Sequence, residues 1–325
     1  MSGAASVYPA RGRTAWILAQ RPPRAEKVDP EAPHGVFLEQ ERLASGDVAS
    51  SGVVLIANRE CPWRCLMCDL WKGTTPETVP EGAVTRQVER AVQEWRNLGA
   101  LPEQVKLYNS GSFFDPGAIP AADYAPIAQR VSFARHVVVE SHPLLVGDRA
   151  RSLRDLLSGS LEVAMGLETA HPEVLAKLNK GFDLRQFSRA AEFLANEGIA
   201  LRVFLLVNPP FLGGASGLEW DVKSAEHAFG CGATAVTLIP TRVGNGALER
   251  LRESGEFEPP MLEDLEATQT AVLALGRGRA FADTWGLEAF SSCPKCFAER
   301  RDRLERINLA QRNEPPVRCS ACGSE

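Results

Sequence analysis

The chain has 325 residues, of which 44% are apolar and 24% are charged, and these ordinary globular proportions argue against extensive disorder. The formal net charge of −5 and the isoelectric point near 5.7 argue against a protein that coats nucleic acid nonspecifically, although a local basic patch stays compatible with them.

No segment approaches the ~20 consecutive apolar residues that cross a bilayer. The apolar stretch TAWILAQ (14–20) is too short for a secretory leader, and Arg21 and Arg24 follow it where small residues would be needed. We therefore expect a cytoplasmic protein with no membrane partner, in a compartment where disulfides are scarce.

Six short runs rich in β-branched residues predict strands, and amphipathic segments separate them. The runs are VVLIAN (53–58), QVKLYN (104–109), HVVVES (136–141), EVAMGLE (162–168), RVFLLVN (202–208) and AVTLIP (235–240). Alternation of strands and helices is typical of strand–helix–strand units, so the sequence predicts an α/β fold with a parallel sheet.

Two of the intervening segments carry clear helix signals. The first has one apolar stripe and ends at Gly99; the stripe consists of Val84, Val88, Ala91, Val92, Trp95 and Leu98. The second begins at Asp183, with Gln186 three residues later as in a capping box, and closes at Gly198.

Parallel strands with crossover helices form either an open doubly wound sheet or an incomplete barrel. In both arrangements ligands bind at the carboxyl ends of the strands. Polar and glycine residues follow every predicted strand, so we expect this edge to be the binding face. No GxGxxG motif follows the first strand and no Walker-type lysine loop is present, which disfavours a dinucleotide or P-loop site.

The eight cysteines fall into two clusters, with Cys231 apart from both. The first cluster, CPWRCLMC, places Cys61, Cys65 and Cys68 at CxxxCxxC spacing directly after the first predicted strand. Three such thiolates can hold three irons of a [4Fe-4S] cluster and leave the fourth iron open to a small molecule. The alternative is a zinc site completed by a distant ligand.

The CxxxCxxC spacing resembles the signature of radical S-adenosylmethionine (radical SAM) enzymes. Over residues 50–250 the chain is similar to the radical SAM proteins of archaeosine biosynthesis, which are related to the elongator catalytic-subunit type. The segments that carry this resemblance are LYNSGSFFDP, VVVESHP, VAMGLETAHPEVLAKLNKGF, FLLVNPPFL and LIPTRVGNGALE.

The resemblance implies a partial (β/α)6 barrel in which Cys61, Cys65 and Cys68 hold a [4Fe-4S] cluster. It also implies that S-adenosylmethionine binds the open iron and is cleaved to a 5′-deoxyadenosyl radical. The electron would come from a donor such as flavodoxin or ferredoxin.

Contacts to S-adenosylmethionine are likewise implied at the strand ends. Ser110, Gly111 and Ser112 stand where many radical SAM enzymes carry Gly-Gly-Glu, which meets the amino group of the cofactor. Glu140 and Glu168 are candidates for that amino group or for the ribose hydroxyls; the alternative for both carboxylates is an ion pair that fixes a loop.

Three positions depart from the family pattern. Met67 replaces an aromatic residue, His142 replaces an arginine, and Asn208, a candidate contact to the cofactor, replaces a lysine. The last two fall on the binding face, which leaves a different substrate open. For His142 the alternative is a hydrogen-bonded structural residue.

The second cysteine cluster consists of CPKC (293–296) and CSAC (319–322). Four thiolates in this pattern, from Cys293, Cys296, Cys319 and Cys322, suit closed tetrahedral zinc, with an auxiliary iron–sulfur cluster as the alternative. The predicted helix between them has a basic bias, which indicates either a solvated face or a lid or nucleic-acid contact surface. Its arginines are Arg300, Arg301, Arg303, Arg306 and Arg312.

The sequence therefore predicts four regions: an N-terminal extension (1–50), a radical SAM partial barrel (51–245), a helical segment (246–286) and a zinc-binding module (287–325). The predicted function is radical SAM modification of a base in transfer RNA, of the archaeosine type or related to it. A radical SAM enzyme with a small-molecule substrate and a noncatalytic metalloprotein that binds RNA or a partner are the alternatives.

Overall fold

The computed structural model describes residues 6–24 and 27–323. The first five residues and residues 25–26 of the predicted N-terminal extension, and the last two residues of the predicted zinc-binding module, lie outside this description. In the described part of the chain, no helix combines the length and apolar character that a membrane crossing requires.

Eight strands form one sheet in which the spatial order follows the chain order. They are β1 (Gly35–Arg42), β2 (Val48–Leu55), β3 (Gln104–Tyr108), β4 (His136–Ser141), β5 (Ser160–Glu168), β6 (Ala200–Val207), β7 (Ala235–Pro240) and β8 (Arg279–Ala282). β1 pairs antiparallel with β2, and every later neighbour pairs in parallel. The sheet curls into a half-barrel, so the predicted α/β partial barrel is confirmed.

The described ranges contain ten α-helices. They are α1 (Arg13–Gln20), α2 (Ala83–Asn97), α3 (Tyr124–Arg130), α4 (Asp148–Leu156), α5 (Pro172–Lys177), α6 (Leu184–Asn196), α7 (Gly214–Gly230), α8 (Ala247–Glu253), α9 (Leu262–Ala274) and α10 (Phe297–Ala310). The predicted stripe of α2 is buried in the main core, except that Leu98 follows the helix and is exposed. The capping box of α6 is also present, with Asp183 and Gln186 each accepting the other's backbone N–H at 2.8 and 2.9 Å.

Two strands were not predicted, and they form the two edges of the sheet. β1 lies within the predicted N-terminal extension. β8 lies within residues 246–286, which were predicted as helical and also contain α8 and α9. The half-barrel therefore draws on chain from outside the range 51–245.

Buried charged side chains fill the interior of the half-barrel towards the amino ends of the parallel strands. Strand side chains alternate between faces, so Arg202 lies on the same face of β6 as Phe204 and Leu206, which line the cavity described below. Its guanidinium pairs with Glu41 of β1 and Glu162 of β5, both at 2.5 Å, and Lys106 of β3 also pairs with Glu41. Burial opposes ionisation of Glu41, but Arg202 and Lys106 outweigh it and hold the pKa of this carboxyl well below its usual range.

Arg202→Met should destabilise the fold strongly, because it leaves Glu41 and Glu162 as buried charges with fewer partners. Breaking a buried ion pair on one side costs about 3–5 kcal/mol. Urea unfolding of the variant against the parent measures the loss. Arg250→Met, which removes an exposed arginine paired with Glu253 at 3.1 Å, is the matched control and should change stability little. Equal stability of the two variants would contradict this account of the interior.

The last helix packs on the half-barrel itself. α10 contacts both edge strands, β1 and β8, and Leu304 of α10 belongs to the main apolar core together with Leu287 and Phe290. α10 covers the gap between the two edges.

Candidate functional site

A cavity of about 360 Å³ opens at the carboxyl ends of the parallel strands. One wall is the loop after β2, which contributes Cys61, Cys65 and Cys68. The ends of β3, β4 and β5 supply Ser110, Gly111, Glu140 and Glu168, and the far wall comes from Phe204, Leu206, Ile239, Thr241, Arg242 and Asp283. The predicted binding face is thus a real concavity, of the kind in which small molecules bind.

The cysteine loop is fixed from several sides. Leu66 donates its backbone N–H to the carbonyl of Leu178 at 2.9 Å, and the amide of Asn245 donates to the carbonyl of Leu66 at 2.7 Å. Trp63 stacks flat on His142, with ring centroids 3.5 Å apart. These contacts come from distant parts of the chain, so the loop is held in one conformation by the folded barrel.

The N-terminal segment also supports the cysteine loop. Arg21 and Arg24 pair with Glu60, the residue before Cys61, at 2.7 and 3.0 Å. Ile17 of α1 is buried in an apolar cluster with Leu66 of the loop. Residues upstream of the barrel therefore help to set the position of the cysteines, which sequence analysis did not anticipate.

The three thiols must lose their protons to become metal ligands, and this requires a positive group nearby. Burial raises the pKa of each of them, that of Cys68 to about 12, so without a cation they stay protonated at neutral pH. Lys180 lowers the pKa of Cys65 but does not outweigh burial. Because only thiolates bind metals, this donor set fits a cationic iron–sulfur cluster that displaces the protons.

No fourth protein thiol is available at this loop. Among the described residues no other cysteine lines the cavity, and Cys231 lies elsewhere, with its half-buried thiol 3.4 Å from the hydroxyl of Ser188. Nor does any set of three donors from His, Cys, Asp or Glu in the described chain converge within 4.8 Å at this loop. The zinc alternative for these cysteines therefore gains no support.

Glu140 holds the turn after β3. Its carboxylate accepts the backbone N–H groups of Asn109 and Gly111, and burial raises its pKa to about 7. The turn is tight: Ser110 has a positive φ of 55°, and a Cβ on Gly111 would lie 3.1 Å from the Cβ of Cys61. Glu140 thus fixes the strand-end loop by hydrogen bonds to its backbone.

Glu168 forms a buried ion pair with Lys180, which sequence analysis missed. Both residues line the cavity. Burial opposes the charge on Lys180, but Glu168 prevails and raises its pKa. A Cβ on Gly166 would lie 2.4 Å from the Glu168 carboxylate and 2.6 Å from the Lys180 ammonium, so any larger residue there would have to displace the ends of these two side chains. The ion pair expected as an alternative role of Glu168 is present, and it lies at the cavity.

The other two predicted contacts, Ser112 and Asn208, do not line the cavity. Ser112 is fully buried and its hydroxyl bonds that of Ser141 at 2.9 Å. Asn208 does not line the cavity, and a Cβ on Gly217 of α7 would lie 2.1 Å from its amide oxygen. His142 lines the cavity and makes hydrogen bonds through both ring nitrogens, to the carbonyl of Lys180 and the N–H of Leu144. This supports its structural role.

The four C-terminal cysteines converge as predicted. Their sulfur atoms all lie within 4.8 Å of one another. The sulfurs of Cys293 and Cys319 are 4.0 Å apart and those of Cys296 and Cys322 are 3.8 Å apart. Four soft donors around one point suit a single tetrahedral ion, so the arrangement can hold a metal with no open position.

Two of the five arginines that were predicted to form a solvated or nucleic-acid-binding face, Arg300 and Arg303, are buried instead. Arg300 and Arg303 of α10 are only 2% and 4% exposed. Arg300 pairs with Glu263 and Glu266 of α9, and the guanidinium of Arg303 donates to two backbone carbonyls of the segment that follows the helix. The alternative prediction, a solvated helix face, is also wrong for Arg300 and Arg303. Their charges are satisfied inside the protein.

The chain is similar in sequence to two curated relatives of known name. It is 28% identical over 285 residues to archaeosine synthase subunit beta of Methanosarcina acetivorans, a match that covers 83% of this chain and 81% of that protein. It is 29% identical over 205 residues to the protein of the same name from Thermococcus kodakarensis, covering 61% and 63%. No protein-family profile matches the chain.

Solved structures with a similar fold include a radical SAM methyltransferase and archaeal Elp3. A radical SAM methyltransferase from Sphaerobacter thermophilus superposes with a TM-score of 0.51 at 14% identity, covering 87% of this chain and 84% of that one. Archaeal Elp3 from Methanocaldococcus infernus gives a TM-score of 0.52 at 13% identity, covering 69% of this chain and 59% of that one. The chain is thus a protein of radical SAM fold whose sequence resembles archaeosine synthase subunit beta.

Proposed function

We propose that this protein is a radical SAM enzyme that modifies a base in transfer RNA. The observation that carries the proposal is the set of three cysteines, one buried and two half-buried, on the wall of a strand-end cavity that lacks a fourth cysteine in the described chain. Cys61, Cys65 and Cys68 would hold a [4Fe-4S] cluster, with S-adenosylmethionine at its open iron. When bound, this pair supplies a carbon radical that removes a hydrogen atom from a substrate.

The protein's own residues would bind and orient the cofactor. The turn held by Glu140 presents Ser110 and Gly111 to the cavity, where backbone carbonyls suit the ammonium group of S-adenosylmethionine. Lys180 and Glu168 offer one positive and one negative group beside the cysteines, matched to a ligand that carries both charges. Burial of these groups keeps water away from the reacting atoms.

The proposed substrate is supported by the resemblance to proteins named archaeosine synthase subunit beta. The far wall of the cavity, with Phe204, Leu206 and Ile239, offers an apolar surface on which a flat ring can pack. A free small molecule could use the same wall, and it stays the second candidate. In the C-terminal site we propose zinc, because a closed four-thiolate site needs no open position for chemistry.

Replacing Cys61, Cys65 and Cys68 by alanine together should remove about four irons from the anaerobically reconstituted protein and abolish cleavage of S-adenosylmethionine. Metal in the C-terminal site should be retained, since its ligands are different residues. Iron and zinc analysis and detection of 5′-deoxyadenosine measure both effects. Cys231→Ala is the matched control and should behave like the parent. Continued cleavage by the triple variant would refute the radical SAM assignment.

Glu168→Gln should weaken binding of S-adenosylmethionine at unchanged iron content, because the variant leaves Lys180 without its buried partner. A lost hydrogen bond to a charged group costs on the order of 1.5–3 kcal/mol, about 10- to 100-fold in the dissociation constant. Equilibrium binding to the reconstituted protein measures it. The control is Glu173→Gln at an exposed position of α5. Identical affinities in the two variants would restrict Glu168 to a structural role.

The transfer RNA substrate is tested in cells. A deletion strain should lose one modified nucleoside and accumulate its precursor, and the wild-type gene should restore it while the triple cysteine variant should not. Mass spectrometry of digested transfer RNA gives the result. An unchanged nucleoside profile would favour the small-molecule substrate.

A further inference from the structure

The outer edge of β8 is paired with side chains instead of a further strand. The amide of Asn308 accepts the backbone N–H of Ala282 at 2.8 Å and donates to the carbonyl of the same residue at 2.8 Å. Gln311, directly after α10, does the same with Ala280, at 2.8 and 3.3 Å. Each side-chain amide therefore takes the place of a peptide group of a neighbouring strand.

The four cysteines clamp α10 on both sides along the chain. Cys296 immediately precedes the helix, which is about 21 Å long at 1.5 Å per residue. The chain then returns towards Cys319, and Arg303 holds the returning segment by donating to the carbonyls of Pro315 and Glu314 at 2.7 and 2.6 Å. A metal ion bound by all four cysteines would join the two ends of the segment that contains α10.

β8 leads directly into the far wall of the cavity. Asp283 follows the strand and pairs with Arg242 at 2.9 Å, and both residues line the cavity. Two residues later, Trp285 meets Phe37 of β1 edge-to-face, with ring centroids 4.7 Å apart. The position of β8 therefore sets the Arg242–Asp283 pair on this wall of the cavity. It also sets the contact of Trp285 with Phe37 between the two edges of the sheet.

We infer that the four-cysteine metal site positions the substrate wall of the cavity. The metal holds α10, Asn308 and Gln311 of that segment hold β8, and β8 places the Arg242–Asp283 pair towards the substrate. The cysteine loop is also bonded by Asn245, three residues after Arg242, but its supports at Leu178 and Glu60 lie outside this chain of contacts. That the wall meets substrate rests on the proposed function, and the class of ligand it suits carries hydrogen-bond donors and acceptors that match a guanidinium and a carboxylate.

The first test removes two metal ligands far from β8 in sequence. The full-length variant Cys319→Ser/Cys322→Ser should no longer bind Zn²⁺ at the C-terminal site, while the barrel cysteines still bind about four irons. Hydrogen exchange at Ala280 and Ala282 should become on the order of tenfold faster than in the zinc-loaded parent. Unchanged exchange at both amides in the zinc-free variant would overturn the inference.

The second test keeps the metal and breaks the link to β8. Asn308→Leu should retain Zn²⁺ and iron, speed exchange at Ala282 by on the order of tenfold, and lower the ratio of product to 5′-deoxyadenosine. Asn313→Leu is the matched control. The exposed amide of Asn313, in the same segment, donates to the carbonyl of Thr270 at 3.0 Å and not to β8, so its loss should change neither quantity.

The two readouts separate the inference from the proposed function. Faster exchange in Asn308→Leu together with an unchanged product ratio would show that α10 positions β8 but that this wall does not meet substrate, and it would overturn the inference. Absence of 5′-deoxyadenosine even from the parent would refute the radical chemistry, while the exchange data would still decide whether the metal site positions β8.

Discussion

A parallel sheet that curls without closing leaves two edges whose backbone groups need partners, and much of this structure meets that constraint. In a closed barrel the first and last strands would pair with each other. Here β1 and β8 stay apart, and α10 lies across both. Arg42 of β1 reaches the carbonyl of Leu309 at 3.4 Å, and Arg279 of β8 donates to the carbonyl of Arg42 at 2.9 Å. The C-terminal segment is therefore part of the barrel wall.

The open sheet also explains the buried charges inside the half-barrel. Glu41 is carried by an edge strand, yet it points into the interior and pairs with Arg202 from the opposite part of the sheet. A buried charge is tolerated only with a partner at close range, so this pair links β1 to β6 across the half-barrel. At the upper end the only comparably buried charges described at the cavity are Lys180 and Glu168, which again form a pair.

The sequence was sufficient for the parts of the fold that are locally determined. The six central strands are rich in β-branched and other apolar residues, α2 and α6 have regular apolar stripes, and the capping box of α6 is complete within four residues. The edge strands were missed for physical reasons. β1 turns Glu39 and Glu41 inward, opposite to the usual polarity, and β8 has only four residues, RAFA. Neither strand has a local sequence pattern that distinguishes it from the residues on either side.

For the site, the sequence could identify donor atoms but not their partners. The spacing of Cys61, Cys65 and Cys68 predicted a shared loop, which the fold places on the cavity. Lys180 follows α5 in a short turn with no motif of its own, and only the folding of that turn beneath the cysteine loop brings it to Glu168. Arg300 suggested a solvated or RNA-binding face because its acidic partners, Glu263 and Glu266, lie on another helix.

The two cysteine clusters differ in what their geometry leaves free. Three thiols at the cavity would leave one position of the proposed cluster open to a ligand, and because burial raises their pKa values, their ionisation would depend on the charge of that cluster. Four thiols at the start and end of the α10 segment surround a single point and leave none. A closed site resists exchange and redox chemistry when it holds zinc, which suits a fixed point in the barrel wall. Because β8 joins that wall to the cavity, the two cysteine clusters are parts of one half-barrel.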